Sequence, residues 1–328
     1  MEVNTMRKRL IFMLSIGLVL ILAESYAAEQ KVPVFPSAPP KQSPIEGAID
    51  FHVHSAPDVF GRSVDDIELA RAAARAGMRG LVLKNHVTST ADRAALVSSQ
   101  VPSIEAFGGI VLNRAVGGIN PDAVEWMYRM EGGRGKIVWL PTFDAHHHKI
   151  TFGSPGEGIK VAIDGEVLPE METVLEIIAR ENLILETSHV SPEEALAVTR
   201  KAVDLGVKNI VITHAMAAVP GLSLDQMKEA AEMGAFLELA YVNHLMGPSA
   251  HLGWMQKWPQ VSIDDMAKAV KVIGAEHIVL GTDLGQSGNP IHPDGYKRFV
   301  NGLKNSGISQ AEIDRMMKHN PARLLGLE

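Results

Sequence analysis

The sequence predicts a single (β/α)₈ barrel, which is a closed ring of eight parallel strands surrounded by helices. From residue 45 onward, short runs of apolar and β-branched residues alternate with segments that have the apolar period of an amphipathic helix. Eight such units can be counted, and the length of about 285 residues suits this fold, which typically takes about 250. No change of composition interrupts the units, so one domain over residues 45–328 is expected.

Six of the eight predicted strands end in polar residues, and several of the predicted helices between them are bounded by capping residues. The strands are expected at residues 48–54, 80–86, 104–112, 136–142, 183–189, 209–214, 236–242 and 278–283. Helices are expected at residues such as 64–76, 192–205 and 263–273. Serines suited to N-caps precede the helices and glycines suited to C-termini follow them: Ser63, Ser191, Ser223 and Ser262, then Gly77, Gly206, Gly234 and Gly274.

The N-terminal 44 residues are expected to lie outside the barrel. Residues 1–27 have the pattern of a signal peptide, because three basic residues at 7–9 precede an apolar run at 10–23 and small residues at Ser25 and Ala27. Residues 28–44 are rich in proline and predict an extended linker. We therefore expect a periplasmic or secreted protein without a stable membrane span after cleavage. An uncleaved anchor is the alternative.

The composition excludes several classes of function. The formal net charge is −7 and no basic stripe is present, which argues against nucleic acid as a partner. The chain has no cysteine, so a disulfide framework, a thiolate zinc site and a cysteine nucleophile are excluded. A small-molecule substrate is the expected partner, and the sequence leaves the question of a homo-oligomer open.

Four predicted strands end in residues that commonly bind metal ions. The first contains the pattern H-x-H at His52 and His54, and the fifth, sixth and eighth end in His189, His214 and Asp283. In this fold the carboxyl ends of the strands meet at one mouth, where catalytic groups lie. Nitrogen and oxygen donors without sulfur suit Zn²⁺, with Mn²⁺ or Fe²⁺ as alternatives. One or two bound ions are expected.

This set of residues resembles the pattern of the amidohydrolase superfamily, whose members share the barrel, the H-x-H after strand one, histidines after strands five and six, and an aspartate after strand eight. The resemblance spans residues 45–328 and includes the segment 320–327, which looks like the closing helix of many such hydrolases. It implies that His52, His54, His189 and Asp283 bind metal, and that His214 binds a metal or the substrate.

The end of the second strand departs from that pattern. Two-metal amidohydrolases often carry a bridging carboxylated lysine or a glutamate after strand four, whereas this chain has the sequence PTFD there. Instead, Lys84 and His86 share one face at the end of strand two. The opening motif is thus also similar to that of polymerase-and-histidinol-phosphatase (PHP) metallophosphoesterases. This second resemblance implies His86 as a further metal ligand and Lys84 as a phosphate contact.

Four residues are predicted to bind substrate at the mouth, namely Lys84, Asp58, His146 and His292. Lys84 is expected either to pair with Asp58 or another carboxylate, to clamp the substrate, or to join the metal site. His146 begins a run of three histidines within residues 143–169, an excursion that we interpret as a solvated mouth loop. His292 follows Asp283 closely enough to fold over the mouth.

The expected function is that of an exported metal-dependent hydrolase that cleaves an amide, lactone or other ester bond with metal-activated water. Asp283 is expected to act as general base and then as general acid, and His214 to orient the substrate oxygen or stabilise the oxyanion. Three alternatives stay open at this point. They are a PHP-like phosphoesterase with two or three metals, a metal-dependent decarboxylase or hydratase, and a barrel that binds metal or ligand without catalysis.

Overall fold

The computed structural model describes residues 43–328, and these form a ring of eight parallel strands. The predicted signal peptide and almost all of the predicted linker lie outside the described residues. In chain order the strands are β1 (Ile49–Val53), β2 (Gly80–Leu83), β3 (Glu105–Val111), β4 (Gly135–Trp139), β5 (Ala162–Ile163), β6 (Glu166–Val167), β7 (Ile184–Glu186), β8 (Asn209–Ile212), β9 (Phe236–Ala240) and β10 (Ile278–Gly281). Strands β5 and β6 form a separate antiparallel pair.

The barrel closes between its first and last strands. The other eight strands follow the order β1-β2-β3-β4-β7-β8-β9-β10. At the seam, the amide of His54 donates to the carbonyl of Leu284 at 2.9 Å, and the amide of Asp283 donates to the carbonyl of His52 at 2.7 Å. The predicted (β/α)₈ barrel is therefore confirmed, and so is the predicted order of its eight strands.

Helices connect the strands and surround the ring. They are α1 (Asp66–Arg75), α2 (Ala91–Gln100), α3 (Pro121–Tyr128), α4 (His146–Phe152), α5 (Pro169–Arg180), α6 (Pro192–Asp204), α7 (Leu224–Glu232), α8 (Ile263–Ile273), α9 (His292–Asn305), α10 (Gln310–Asp314) and α11 (Asn320–Leu325). A π-helical turn, Arg315–His319, joins the last two. Across residues 43–328, none of these helices combines the length and the apolar character that a membrane crossing requires.

Most predicted caps are confirmed and one is wrong. Ser191, Ser223 and Ser262 cap α6, α7 and α8 with their side-chain oxygens. Helix α1, however, begins after Asp65, whose carboxylate accepts a hydrogen bond from the amide of Glu68 in a complete capping box. Ser63 lies before the helix, where its backbone amide donates to the carbonyl of Gly285 at 3.0 Å, and Asp65 therefore takes the capping role.

Two apolar layers lie on opposite sides of the sheet. Alternate residues of each strand pack outward against the helices, as Ile278 and Leu280 of β10 do. The residues between them fill the barrel interior, and side chains from α11 join them. This inner cluster contains Ile49, Phe51, Val82, Phe107, Val111, Ile137, Trp139, Ile184, Val211, Phe236, Val279, Ala322, Leu324 and Leu325. The opposite mouth of the barrel is consequently left for polar residues.

Two predicted boundaries differ from the structure. Each barrel strand ends one to three residues before its predicted end, so most of the polar site residues follow the strands. The segment 143–169, which was predicted to be a loop, contains the regular elements α4 and the β5–β6 pair. Its anchor is backbone pairing, since the amide of His146 donates to the carbonyl of Ile159 at 2.8 Å.

Candidate metal centre

A cavity of about 740 Å³ opens at the carboxyl ends of the barrel strands. His52, His54 and Asp283 meet on its floor, with one donor atom of each within 4.8 Å of the other two. Oδ1 of Asp283 lies 3.3 Å from Nε2 of His52 and 3.1 Å from Nε2 of His54. The structure thus brings together three of the predicted ligands, which come from the two strands at the barrel seam.

The other ring nitrogen of each histidine is held by a partner that orients the ring. Nδ1 of His54 lies 3.0 Å from the carbonyl oxygen of Lys84, which can only accept, so Nδ1 carries the proton and Nε2 offers its lone pair. Nδ1 of His52 lies 2.9 Å from Oε1 of Glu238. A carboxylate behind a histidine is a common arrangement at metal sites, because it fixes both the tautomer and the ring orientation.

Burial keeps the two imidazoles neutral, which is the form that binds metals. The pKa of His52 is lowered to about 3, chiefly by burial; Asp283 opposes this shift, and the positive charges of Lys84 and Arg62 add to it. Burial also lowers the pKa of His54 well below its usual value, with Arg62 as the next cause. Both side chains therefore have a free lone pair at neutral pH.

Asp283 has an unusual backbone that directs its carboxylate to the histidines. Its φ is 50°, in the left-handed region that side chains with a Cβ rarely adopt. Hydrogen bonds hold this conformation, because its amide donates to His52 and its carbonyl accepts from Nε2 of Gln286 at 2.8 Å. Close packing by Gly285 contributes as well, since a Cβ there would lie 2.0 Å from the carbonyl oxygen of His54. Strained residues of this kind are typical of functional sites.

The three residues fit a divalent metal ion. Nε2 of His52 is buried and has no hydrogen-bond partner among the described residues, although a polar atom in that position normally has one. Two neutral imidazole nitrogens and one carboxylate oxygen form a donor set that suits Zn²⁺ and neighbouring divalent ions. A bound ion would satisfy the His52 nitrogen and offset the burial of the Asp283 charge.

Glu238 is a residue of this centre that the sequence analysis did not assign. It lies in β9 two residues after Phe236 of the inner cluster, so strand alternation directs it into the barrel. Besides contacting His52, its Oε2 accepts a hydrogen bond from the backbone amide of His214 at 2.8 Å. Burial raises the pKa of this carboxyl to about 8, and Lys84 counteracts the shift. The alternation of β9 was the signal that could have identified it.

We expect the Glu238→Gln variant to bind the metal about 10- to 100-fold more weakly than the wild type. Its neutral amide is a weaker acceptor for the Nδ1–H of His52 and no longer compensates the cation. Titration of metal-free protein with Zn²⁺ in competition with a chelator of known affinity measures the change. Glu232→Gln, at the exposed end of α7, is the matched control and should bind as the wild type does. Unchanged affinity in Glu238→Gln would contradict an orienting role.

His86, His189 and His214 also line the cavity, but they lie beside the three-residue group and outside it among residues 43–328. The ring of His86 lies 4.8 Å from that of His54, and its Nδ1 lies 3.0 Å from Oγ1 of Thr142. His214 lies 5.0 Å from His189 and 6.0 Å from His52 by ring centroids. The assignment of these three as metal ligands stays a prediction.

His148 of α4 was missed as a cavity residue. Its Nδ1 lies 2.8 Å from Nδ1 of His189, and the two rings stack at 4.8 Å. The pKa of His148 is lowered to about 4, chiefly by burial and next by the neighbouring His147. The predicted solvated loop is therefore wrong for this residue. His146, the predicted substrate contact, is absent from the cavity lining because helix α4 turns His148 inward instead.

Two further predicted substrate contacts are corrected by the structure. Asp58 pairs with Arg62 at 2.7 Å and does not line the cavity, so the predicted pairing of Asp58 with Lys84 is wrong. His292 is fully buried at the start of α9, where its Nε2 contacts the carbonyl oxygens of His54 and Leu284. It supports the barrel seam behind the site and cannot reach a substrate.

Lys84, the fourth predicted contact, does line the cavity. Its side chain is 1% exposed, and among the described residues its Nζ has no hydrogen-bond partner. Nζ lies 5.3 Å from the ring of Trp139. Burial lowers the pKa of this lysine, while the carboxyls of Glu186 and Asp283 raise it. Lys84 is thus a buried amino group at the floor of the cavity, next to the three-residue group.

The fold and the floor of its cavity define a class of protein, the (β/α)₈ barrels with a histidine and carboxylate centre at the carboxyl ends of their strands. Within that class, the chain belongs to the family of unknown function DUF6282, whose model matches residues 47–238. The matched part includes His52, His54 and Glu238, whereas Asp283 lies beyond it. No curated protein sequence matches the chain.

Solved structures of similar shape cover most of the chain. An organophosphorus hydrolase from Deinococcus radiodurans is 15% identical, with a TM-score of 0.53 over 86% of this chain and 93% of the other. An amidohydrolase from Pseudomonas aeruginosa is 13% identical, with a TM-score of 0.55 over 85% of this chain and 95% of the other. A third structure comes from the molecular engineering of organophosphate hydrolysis activity from a weak promiscuous lactonase template. It is 16% identical, with a TM-score of 0.55 over 86% of this chain and 97% of the other. This likeness identifies the fold.

Proposed function

We propose that the protein is a metal-dependent hydrolase that cleaves a carboxylic ester, lactone or amide bond. The observation that carries this proposal is the convergence of two neutral, oriented imidazole nitrogens and one carboxylate on the floor of a closed-ended cavity. The structural neighbours support it, because their names describe hydrolase and lactonase activities on the same barrel. The carboxylate of Asp283 is 15% exposed, against 1% and 3% for His52 and His54, so it is the member of the group most accessible to water.

His52, His54 and Asp283 would hold the ion. A divalent metal bound there supplies Lewis acidity, which polarises a carbonyl or phosphoryl oxygen and makes water more acidic. Asp283 is positioned to accept a proton from a water molecule at the centre and to return it to the leaving group. The ring of His214, whose Nδ1 has no hydrogen-bond partner among residues 43–328, is positioned to contact the substrate oxygen. Glu238 orients the metal ligand His52 through the Nδ1 of its ring, and it positions His214 through the backbone amide of that residue.

Metal analysis combined with an activity assay tests the proposal. We would purify the protein without chelator, measure divalent metals per chain, and follow the hydrolysis of simple methyl esters and lactones in a pH-stat. We expect about one ion per chain, loss of hydrolysis after chelation, and recovery on adding Zn²⁺ or Mn²⁺. A folded protein that neither contains nor takes up divalent metal would contradict the proposal. Activity that survives complete metal removal would contradict it as well.

Phosphoester hydrolysis is the second candidate. Two observations favour it, namely the Lys84 amino group, which has no hydrogen-bond partner among the described residues, and the His86 ring 4.8 Å from that of His54. It requires His86 as an additional ligand and two or three ions per chain. The same metal analysis therefore separates the two candidates. Two or more ions together with hydrolysis of phosphate esters alone would favour the phosphoesterase.

We also propose that the protein is exported and that its signal is removed after Ala27. The support is the order of basic, apolar and small residues within positions 7–27. N-terminal sequencing of protein recovered from the periplasm or medium of a bacterial host tests this, and Ala28 is the expected first residue. Protein found in the cytosol with its original N-terminus would contradict export.

A further inference from the structure

A continuous row of aromatic rings lines the cavity that also contains the metal donors. We call this row the aromatic belt, and it consists of Phe60, Phe143, His148, Phe152, Trp258 and Trp254. Successive ring centroids in this order lie 5.6, 5.4, 4.8, 4.6 and 6.5 Å apart. Aromatic rings at such separations attract one another and form a wall that can pack against a planar apolar group.

The belt borders the candidate metal centre. The ring of Phe143 lies 4.3 Å from that of His86 and 6.0 Å from that of His189. Trp258 lies 5.9 Å from His189 on the other side. A molecule with its scissile bond on the cavity floor would therefore place its adjacent atoms against the belt. The belt is part of the same site and not a separate surface.

Several belt rings are exposed to water in the absence of a ligand. Phe60 and Trp254 are 45% exposed, and Phe143 is 38% exposed. Covering such rings with an apolar group lowers the free energy of binding in proportion to the apolar area removed from water. The cavity size also falls in the range of pockets that enclose a compact small molecule, roughly 300–1,000 Å³.

Few neutral polar side chains line the rest of the cavity. Apart from histidines and charged residues, the polar lining residues are Ser154, Gln286 and Ser287. Gln286 is already occupied, because its Nε2 donates to the Asp283 carbonyl and its Oε1 accepts from Asn289 at 2.9 Å.

The charge of the lining disfavours a cationic ligand. Three cationic side chains line the cavity, Arg62, Lys84 and Lys257, against one carboxylate, Asp283. Asp58 pairs with Arg62 from outside the cavity, and the carboxyls of Glu186, Asp283 and Glu238 act on Lys84, so these carboxyls offset part of the positive charge. A bound divalent ion would add to the positive charge. The belt is therefore not suited to a quaternary ammonium compound, although aromatic rings alone could bind one.

We propose that the substrate is a compact ester, lactone or amide that carries an aromatic ring next to the scissile bond and is neutral or anionic. The ring packs against the belt between Phe143 and Trp258, while the scissile bond lies over the floor of the cavity. This inference rests on the proposed function for the bond that is cleaved, but the binding of the ring does not depend on cleavage.

Calorimetric binding of product-like probes tests the inference directly. The affinity for phenylacetate is compared with the affinity for acetate and with that for benzyltrimethylammonium. Each is measured on the purified protein with and without Zn²⁺. We expect phenylacetate to bind at least about tenfold more tightly than acetate, because its ring covers exposed belt surface. We expect benzyltrimethylammonium to bind more weakly than phenylacetate. Less than a twofold preference for phenylacetate, or tighter binding of the ammonium compound, would overturn the inference.

Two variants and a matched control assign the preference to the belt. Trp258→Ala removes a buried ring, and Phe143→Ala removes a partly exposed one whose loss the fold tolerates more easily. Each should reduce the ratio of phenylacetate to acetate affinity several-fold. Trp126→Ala removes a tryptophan that is 70% exposed on α3 and outside the cavity lining, so it should leave the ratio unchanged. An unaltered ratio in both belt variants would contradict the proposed location.

A parallel assay with methyl phenylacetate and methyl acetate separates this inference from the proposed function. Tight binding of phenylacetate without hydrolysis of either ester would support the belt as a binding site and count against the hydrolase. Equal kcat/KM for the two esters, with no binding preference, would support the hydrolase and overturn the aromatic substrate.

Discussion

The His52→Ala plus His54→Ala variant is expected to lose the divalent ion that the wild type binds, from about one per chain to none detectable. The reason is geometric, since these residues supply two of the three donor atoms on the cavity floor. Asp283 alone is a single carboxylate on the floor of a water-accessible cavity and would not retain a transition metal. Elemental analysis of the purified variant measures the loss.

Folding of this variant must be established independently, because both rings are buried. Circular dichroism and thermal unfolding provide the check, and His52→Asn plus His54→Asn is a second variant that leaves smaller cavities. His277→Ala plus His319→Ala is the matched control, since these histidines lie outside the cavity lining. Stoichiometric metal in a folded double variant would show that the ion is bound elsewhere.

The Asp283→Asn variant should hydrolyse substrate about 10²- to 10⁴-fold more slowly than the wild type, which is the usual effect of removing a general acid–base group. An asparagine side chain has nearly the same shape and still offers an oxygen to the metal, but it cannot accept a proton at neutral pH. We therefore expect a loss in kcat with much of the metal content retained. Parallel measurement of kcat and of metal per chain separates the two effects.

Asp294→Asn is the control for that variant. Asp294 lies in the first turn of α9 with a side chain that is 64% exposed, outside the cavity lining. Its substitution should leave both kcat and metal content unchanged. If Asp283→Asn retained wild-type kcat, another residue would have to be the base, and Asp283 would be reduced to a ligand.

The barrel and the three-residue group could be predicted because each depends on a local pattern repeated along the chain. Strand periodicity and helix caps identified the eight units, and the known mouth of such a barrel placed His52, His54 and Asp283 together. The exact ends of the strands were harder to predict, since polar residues after a strand continue its alternation for one to three positions without joining the ladder.

The misassigned residues depend on contacts that sequence spacing does not encode. His292 resembled a rim residue, but packing of α9 against the seam buries it on two backbone carbonyls. His148 resembled part of a solvated run, but the turn of a seven-residue helix directs one histidine of three inward. The predicted partner of Asp58 was wrong because Arg62, four residues later, contacts it with both Nε and Nη2 on one carboxylate oxygen.

The position of the metal donors at the barrel seam links binding of the ion to the order in which the chain folds. His52 lies in the first strand and His54 directly follows it, whereas Asp283 follows the last strand. The adjacent Asp50 and Thr282 are 232 positions apart. Contacts between such distant residues form late, because the loop between them must close first. A growing or truncated chain that lacks β10 would have no complete centre. Once the ring has closed, a metal ion at a free concentration of 100 times its Kd would stabilise the closed form by about 2.7 kcal/mol. The bound ion would thereby hold the first and last strands of the barrel together.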